Sequence, residues 1–309
     1  MDLLVALGSL FRATPSFRGK YRLVHALARL VSSSSPDGGV RTVRMKDGSL
    51  MLLDYRSLTE RVAFWTGEYE HDAILRCAAC LDKDSVVLDV GANIGFYSIA
   101  LGRMLKAGGR ICAFEPVPAN YERLKRNVAL NGLENVVFPF RLALGDHEGE
   151  VELGLLEPGG SLTGNAVIME GHVASRSSRF SAPLLPLDRF AEQHQITSCR
   201  LLKIDVEGAE VMVLRGARGF IERHRPIISA ECNNLFIKQL GTSFMDVVDI
   251  VVPLGYRIYR ERLIRSGSSS AVHTGEYVYV PRPEVGIEYV FLVPEETPVD
   301  TRGKIGLID

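Results

Sequence analysis

The chain has 309 residues, 46% of them hydrophobic and 24% charged, which is the balance of an ordinary globular protein with room for one large domain and appendages. Its net charge of −1 argues against broad, sequence-independent binding to nucleic acid, which draws on many phosphate contacts from Lys and Arg. Nowhere do 18 apolar residues run together, so no membrane-spanning helix is expected.

The five cysteines, Cys77, Cys80, Cys112, Cys199 and Cys232, are odd in number and scattered, which points to a reducing, cytoplasmic setting rather than a disulfide scaffold. Cys77 and Cys80 have no second pair or nearby His to complete a zinc site, and read as small buried helix residues. The apolar start, Met1 to Phe11, lacks the basic region and cleavage site of a secretory leader. Arg12, Arg18, Lys20, Arg22 and Arg29 against Asp2 alone make residues 1–30 basic. A helical cap packed on the domain is the preferred reading, with peripheral contact to anionic lipid as the alternative.

A loop at Ser32–Gly39 closes this first stretch. Lys46-Asp47-Gly48 between Val40–Val43 and Ser49–Asp54 predicts a β-hairpin, and a helix is expected over His71–Leu81. From Ser85, short wholly apolar runs alternate with amphipathic stretches: Val86–Leu88 then Phe96–Leu105, and Ile111–Phe114 then Ala119–Leu130. Apolar runs without polar alternation are strands covered on both faces, hence a parallel sheet with right-handed helical crossovers. Further strands are expected at Val136–Arg141, Leu201–Ile204 and Ile227–Ala230. Pro139 cannot donate to a central ladder and so puts the first of these at a sheet edge. A helix at Phe244–Leu254 and strands at Tyr256–Tyr259 and Tyr289–Val293 would give the sheet an antiparallel end. The polar, glycine-rich segment 157–181 interrupts the pattern, and its length favours a substrate lid over a floppy insert. Ser266–Ser270 is a second, plainer loop.

The turn Asp89-Val90-Gly91-Ala92-Asn93-Ile94-Gly95 ends a strand and opens a helix, the place of a nucleotide-binding glycine loop. Gly91 and Gly95 are read as letting backbone approach a ligand without a Cβ in the way. A nicotinamide loop wants a second glycine where Asn93 stands, and a diphosphate would be repelled by Asp89. That carboxylate instead suits a ligand bearing an ammonium and a sulfonium, so S-adenosylmethionine is the expected cofactor. Twenty residues beyond Gly95, Glu115 ends the second strand, placed for ribose hydroxyls. Asp146 faces the adenine or is ordinary turn chemistry. Lys203–Glu210 ends the fourth strand with acids, Asp205 pointing into the crevice, while Glu207 and Glu210 also complement a helix dipole. Glu231 ends the fifth strand and borders the same crevice. Two such carboxylates can orient a hydroxyl, take its proton or hold a divalent metal, and a base or hydroxyl ligand is preferred, with no metal expected. His172 is an outside candidate for the base.

Phe64-x-x-Gly67-x-Tyr69-Glu70, the 89–95 turn, Phe114-Glu115-Pro116, Asn127-x-x-x-Asn131-Gly132 and Lys203–Glu210 together resemble the FkbM family of methyltransferases, over about residues 60–235. Leu187-Asp188 fits it too. The resemblance implies an α/β, class I Rossmann-like doubly wound fold and methyl transfer from S-adenosylmethionine, commonly to a hydroxyl of a sugar, glycan or natural product. It implies cofactor contacts at Glu70, Asp89, Gly91, Asn93, Gly95 and Glu115, with Asp205, Glu207 and Glu231 as catalytic candidates of unspecified role. Residues 1–60 are expected as a helix-and-hairpin extension and 61–309 as the methyltransferase domain. The acceptor is a small molecule or glycan, not nucleic acid. A nicotinamide-dependent oxidoreductase and a non-catalytic cofactor-binding scaffold remain the alternatives.

Overall fold

The computed structural model describes residues 3–14, 39–105, 108–155, 166–168, 179–265, 271–280 and 289–308. Residues 15–38, most of the 157–181 insertion with His172, and Ser266–Ser270 lie outside these residues.

The expected hairpin comes first: β1 (Val40–Arg44) and β2 (Leu50–Asp54) pair antiparallel across the Lys46-Asp47-Gly48 turn. After helices Leu58–Thr66 and His71–Ala79 come β3 (Val86–Val90), β4 (Arg110–Phe114) and β5 (Val137–Phe140), linked by helices Phe96–Gly102 and Pro118–Leu130. The loop expected over 157–181 is interrupted and bounded by strands. β6 (Ala143–Leu144), β7 (Gly149–Leu155), β8 (Ala166–Ile168) and β9 (Arg179–Leu185) form a separate sheet in the order β6-β9-β7-β8. In β7, Val151 and Leu153 are buried while Glu150 and Glu152 are exposed, the alternation of a half-buried strand.

The chain then returns to the main sheet through helix Leu187–Gln193. β10 (Leu201–Ile204) and β11 (Ile227–Glu231) follow, with helices Glu210–Gly216 and Arg218–His224 between them. Helices Asn234–Gln239 and Phe244–Val251 lead to β12 (Tyr256–Arg265), β13 (Ala271–Tyr279) and β14 (Tyr289–Pro294), and helix Val299–Lys304 to β15 (Leu307–Ile308). The nine strands run β15-β13-β12-β14-β11-β10-β3-β4-β5. From β11 to β5 every pairing is parallel, whereas β14 joins β11, and β12 joins β14, antiparallel. β5, with its Pro139, lies at the edge as the missing N–H requires. β13 pairs antiparallel with β12 and β15 adds to β13 in parallel, extending this end beyond what the periodicity predicts.

Adjacent residues of the central strands enter different cores, which is why those strands carry no polar alternation. Val87, Ile111, Leu201 and Ile227 pack with helices 58–66, 71–79 and 96–102 on one face. Leu88, Cys112, Leu202 and Ile228 pack with helices 187–193, 210–216 and 244–251 on the other. Cys77 and Cys80 are both buried free thiols, as expected of small core residues. The N-terminal helix Leu3–Ala13 lies on helix 58–66: Arg12 donates to the Phe64 carbonyl at 2.5 Å, and Phe11 meets Trp65 edge-on. Among the described residues no helix is long and apolar enough to cross a membrane.

Two asparagines, in helix Pro118–Leu130 and at its C-cap, fasten the hairpin to that crossover helix. Asn127 is fully buried; its Oδ1 accepts the Leu52 N–H (2.7 Å) and its Nδ2 donates to the Ile94 carbonyl (2.8 Å). Asn131 brackets Leu50 in the same way, accepting from its N–H at 2.9 Å and donating to its carbonyl at 2.7 Å. Asn127→Ala strands the Leu52 N–H and the buried Ile94 carbonyl, at roughly 1–3 kcal/mol each, and is expected to cost about 2–6 kcal/mol in urea unfolding. Arg126→Ala on the exposed side of the same helix should stay within about 0.5 kcal/mol. Equal effects of the two would contradict this account.

Candidate active site

At the end of β3 the chain turns through three left-handed residues, Gly91 (φ 77°), Asn93 (φ 50°) and Gly95 (φ 98°), before helix 96–102 begins. Asparagine is among the few side-chain residues that tolerate this conformation. The packing of the turn requires both glycines. A Cβ on Gly91 would stand 1.8 Å from the Asp205 carbonyl oxygen, and one on Gly95 would stand 2.6 Å from Leu124 Cδ1. They let the turn close against the neighbouring strand end and crossover helix.

Glu115, at the end of β4, is clasped by that turn. Its Oε2 accepts the Asn93 N–H at 2.8 Å, and its Oε1 accepts the Val117 N–H at 2.9 Å and Asn120 Nδ2 at 3.4 Å. Burial pushes its carboxyl up to about 7, with the backbone donors of Val117 and Asn93 pulling the other way.

Lys203 of β10 lies in register beside Asp89 of β3. Its Nζ is 3.4 Å from Asp89 Oδ1 and 3.2 Å from Asp205 Oδ2, and donates to the Gly91 carbonyl at 3.0 Å. Burial opposes the charge, but Asp205, Asp89 and Glu70 outweigh it and hold the ammonium protonated. Asp89 also accepts Ser98 Oγ at 2.5 Å. After β10, Glu207 (φ 51°) and Gly208 (φ 105°) make a second left-handed turn. Glu210 is fully buried beneath it and accepts the N–H groups of Gly208 (3.0 Å) and Val206 (3.4 Å). Burial raises this carboxyl to about 7.

Glu70 has a left-handed backbone (φ 37°) at the start of helix 71–79 and accepts the Tyr97 hydroxyl at 2.8 Å. Glu231 pairs in register with Tyr289 of β14, whose hydroxyl is bonded to its carboxyl. Burial, then the charges of Asp205, Glu70 and Glu207, push Glu231 up to about 9.

These groups meet at the carboxyl ends of β3, β4, β10 and β11, around a cavity of about 190 Å³. This is where an open α/β sheet places its ligands. Gly91, Asn93, Glu70, Glu115, Asp205, Glu207 and Glu231 line it. Asp89, Gly95 and Asp146 do not. Asp89 is turned toward Lys203 and Ser98 beneath the turn, and Gly95 faces Leu124. Asp146 sits on a turn with its carboxylate on His147 Nδ1 at 2.8 Å. Sequence reasoning missed Tyr69, Phe96, Tyr97 and Tyr289, and the apolar wall of Val151, Leu153, Ile168 and Leu184 from the second sheet. The period-two alternation of 149–155 is the signal that announces that wall. Among the described residues no three His, Cys, Asp or Glu side chains gather in a way that would hold a metal ion.

Residues 89–258, more than half of the chain, match the family model of the Methyltransferase FkbM domain. The chain belongs to the FkbM methyltransferase family. It is 27% identical over 147 residues to the hexuronic acid methyltransferase AglP of Haloferax volcanii, covering 48% of this chain and 56% of that protein. It is 30% identical over 165 residues to the methyltransferase sdnD of Sordaria araneosa, covering 45% of this chain and 62% of that one. The matched region thus spans less than two thirds of these curated relatives. The crystal structure of Methyltransferase FkbM from Methylobacillus flagellatus KT superposes with a TM-score of 0.41 at 18% identity, over 75% of this chain and 52% of that one.

The buried acids set a pH dependence of stability. Glu115, Glu210 and Glu231 bind their protons more tightly folded than at the ordinary 4.5. Their stabilising contribution is therefore full below about 4.5. It is lost as pH rises through about 7 for the first two and about 9 for Glu231. Urea unfolding is expected to give a free energy that falls between about pH 7 and 9, with Glu231→Gln flattening the fall. A wild-type stability that climbs over that window would refute it.

Proposed function

We propose that this protein transfers the methyl group of S-adenosylmethionine to a hydroxyl of a sugar, glycan or natural product. The observation that carries the reading is the charge of the cavity. Glu70, Glu115, Asp205, Glu207 and Glu231 line it, and Lys203 is the one cation among its described lining residues. That lysine is already committed to Asp89, Asp205 and the Gly91 carbonyl. Such walls suit a cofactor with an ammonium and a sulfonium and oppose the diphosphate of a nicotinamide cofactor, which the same fold otherwise accommodates.

The donor set fits that cofactor residue by residue. Glu115 would accept the ribose hydroxyls, its carboxylate already oriented by Asn93 and Val117. Glu70 and Asp205 would face the ammonium. The apolar side chains of Leu144, Val151, Leu153 and Leu184 would cover the adenine side. Bound there, the cofactor supplies a methyl group activated on a sulfonium. The protein's contribution is alignment, which on well-oriented reactants recovers on the order of 7–11 kcal/mol, and removal of the acceptor's proton. Glu231 and Asp205 stand at adjacent strand ends where an acceptor hydroxyl would lie, and either can receive that proton. Residues 61–309 would form the catalytic unit and 1–60 its extension.

Calorimetry separates the readings: S-adenosylhomocysteine should bind, NADH should not, and Glu115→Gln should weaken the former. A scaffold would bind it yet form none from S-adenosylmethionine with any acceptor of a sugar and glycan panel. Glu231→Gln should lower turnover by about 10²–10⁴-fold with a far smaller effect on S-adenosylhomocysteine affinity, whereas Asp205→Asn should lower both. Unchanged turnover in both removes them from catalysis. If Glu231 is the base, kcat/KM rises with pH toward about 9, because the carboxyl must first ionise, and Glu231→Gln abolishes that limb.

A further inference from the structure

We infer that the acceptor carries no negative charge where it meets the methyl group: it is a neutral or cationic alcohol, not a carboxylic acid. This deepens the proposed function and rests on it. It separates this chain from the kind of acceptor named for the Haloferax relative, a hexuronic acid.

The first ground is a count of charge around one space. Glu70 comes from the start of a helix and Asp205 and Glu207 from the segment after β10, and they line one cavity beside Glu231 at the end of β11, whose carboxyl is pushed up to about 9 and adds no charge at neutral pH. Lys203 neutralises part of this and is held by Asp89 and Asp205. The cofactor's ammonium and sulfonium, less its own carboxylate, add a single net positive charge. An anionic acceptor would enter a wall that is still acidic, with no cation left to meet it among the described lining residues.

The second ground is the direction of the hydrogen bonds. A bound carboxylate needs donors. The tyrosine hydroxyls lining this end are turned onto the protein's own acids: Tyr97 donates to Glu70 at 2.8 Å, Tyr69 also bonds Glu70, and Tyr289 bonds Glu231. Toward the space, Asp205 and Glu207 present acceptor oxygen. An alcohol or an ammonium can donate to it; a carboxylate cannot. The site itself is fixed by the cavity at the strand ends and the glycine turn, and the acids decide only the sign of what enters.

The test uses cofactor analogues that place a defined charge at the methyl position. Calorimetry compares the S-carboxymethyl and S-carbamoylmethyl sulfonium analogues of S-adenosylmethionine, which match in shape and differ by one negative charge. The carboxymethyl analogue is expected to bind at least about tenfold more weakly, the size of a one-unit electrostatic effect. Glu207→Gln, which removes one charge from the lining, should narrow that gap. Equal affinity of the two analogues for the wild-type protein overturns the inference and leaves the proposed function standing. Failure of both analogues and of S-adenosylhomocysteine to bind overturns the proposed function, and this inference with it.

Discussion

Lys203 carries an ammonium into the seam between β3 and β10, where the connections of the sheet diverge to either side, and much of the site hangs on it. It is 6% exposed, and removing an ion from water at such a place costs several kcal/mol unless partners surround it. Asp89, Asp205 and the Gly91 carbonyl are those partners. They belong to β3, to the segment after β10 and to the glycine turn, so one charge registers three pieces of backbone against each other. Gly91 must then be glycine, because the Asp205 carbonyl occupies the place of its Cβ. The turn that results presents the Asn93 N–H to Glu115 on the next strand. Without the ammonium, Asp89 and Asp205 would face each other with no cation between them.

Around that fixed centre the cavity is assembled from parts remote in sequence. The stacked rings of Tyr69 and Phe96, centroids 4.0 Å apart and nearly parallel, form a partition between the main cavity and a smaller groove beside the β1–β2 hairpin. The second sheet supplies apolar side chains on the far side, and the antiparallel end of the main sheet supplies Tyr289. The floor is therefore acidic and its cover apolar. That polarity matches a ligand with a charged amino-acid half and a flat heterocyclic half.

Much of the fold was legible in the sequence because burial on both faces leaves a plain mark. Strands such as Val86–Val90 and Leu201–Ile204 are short apolar runs bounded by turn residues, and Pro139 marked its strand as an edge. The segment from Gly149 to Leu185 was harder to read. Its strands are interrupted by polar, glycine-rich connections, and the alternation in β7 is a weaker signal than the composition around it. β13 was missed for a related reason, since an antiparallel strand toward a sheet edge needs no apolar run.

The sequence by itself determined which residue types stand at the strand ends: the Gly-x-Asn-x-Gly turn, Glu115, Asp205 and Glu231 are placed by topology, because each follows directly from a strand whose apolar run is visible. Only the tertiary structure decided which way their side chains go. Asp89 reads as a ligand-facing carboxylate until Lys203 and Ser98 are seen to claim it, and Asp146 until its turn is seen to carry it away from the cavity. The physical reason is that a carboxylate at a strand end turns toward whatever donors lie near it. Those donors, the Lys203 ammonium and the Tyr97 and Tyr289 hydroxyls, come from other elements whose approach no local pattern records.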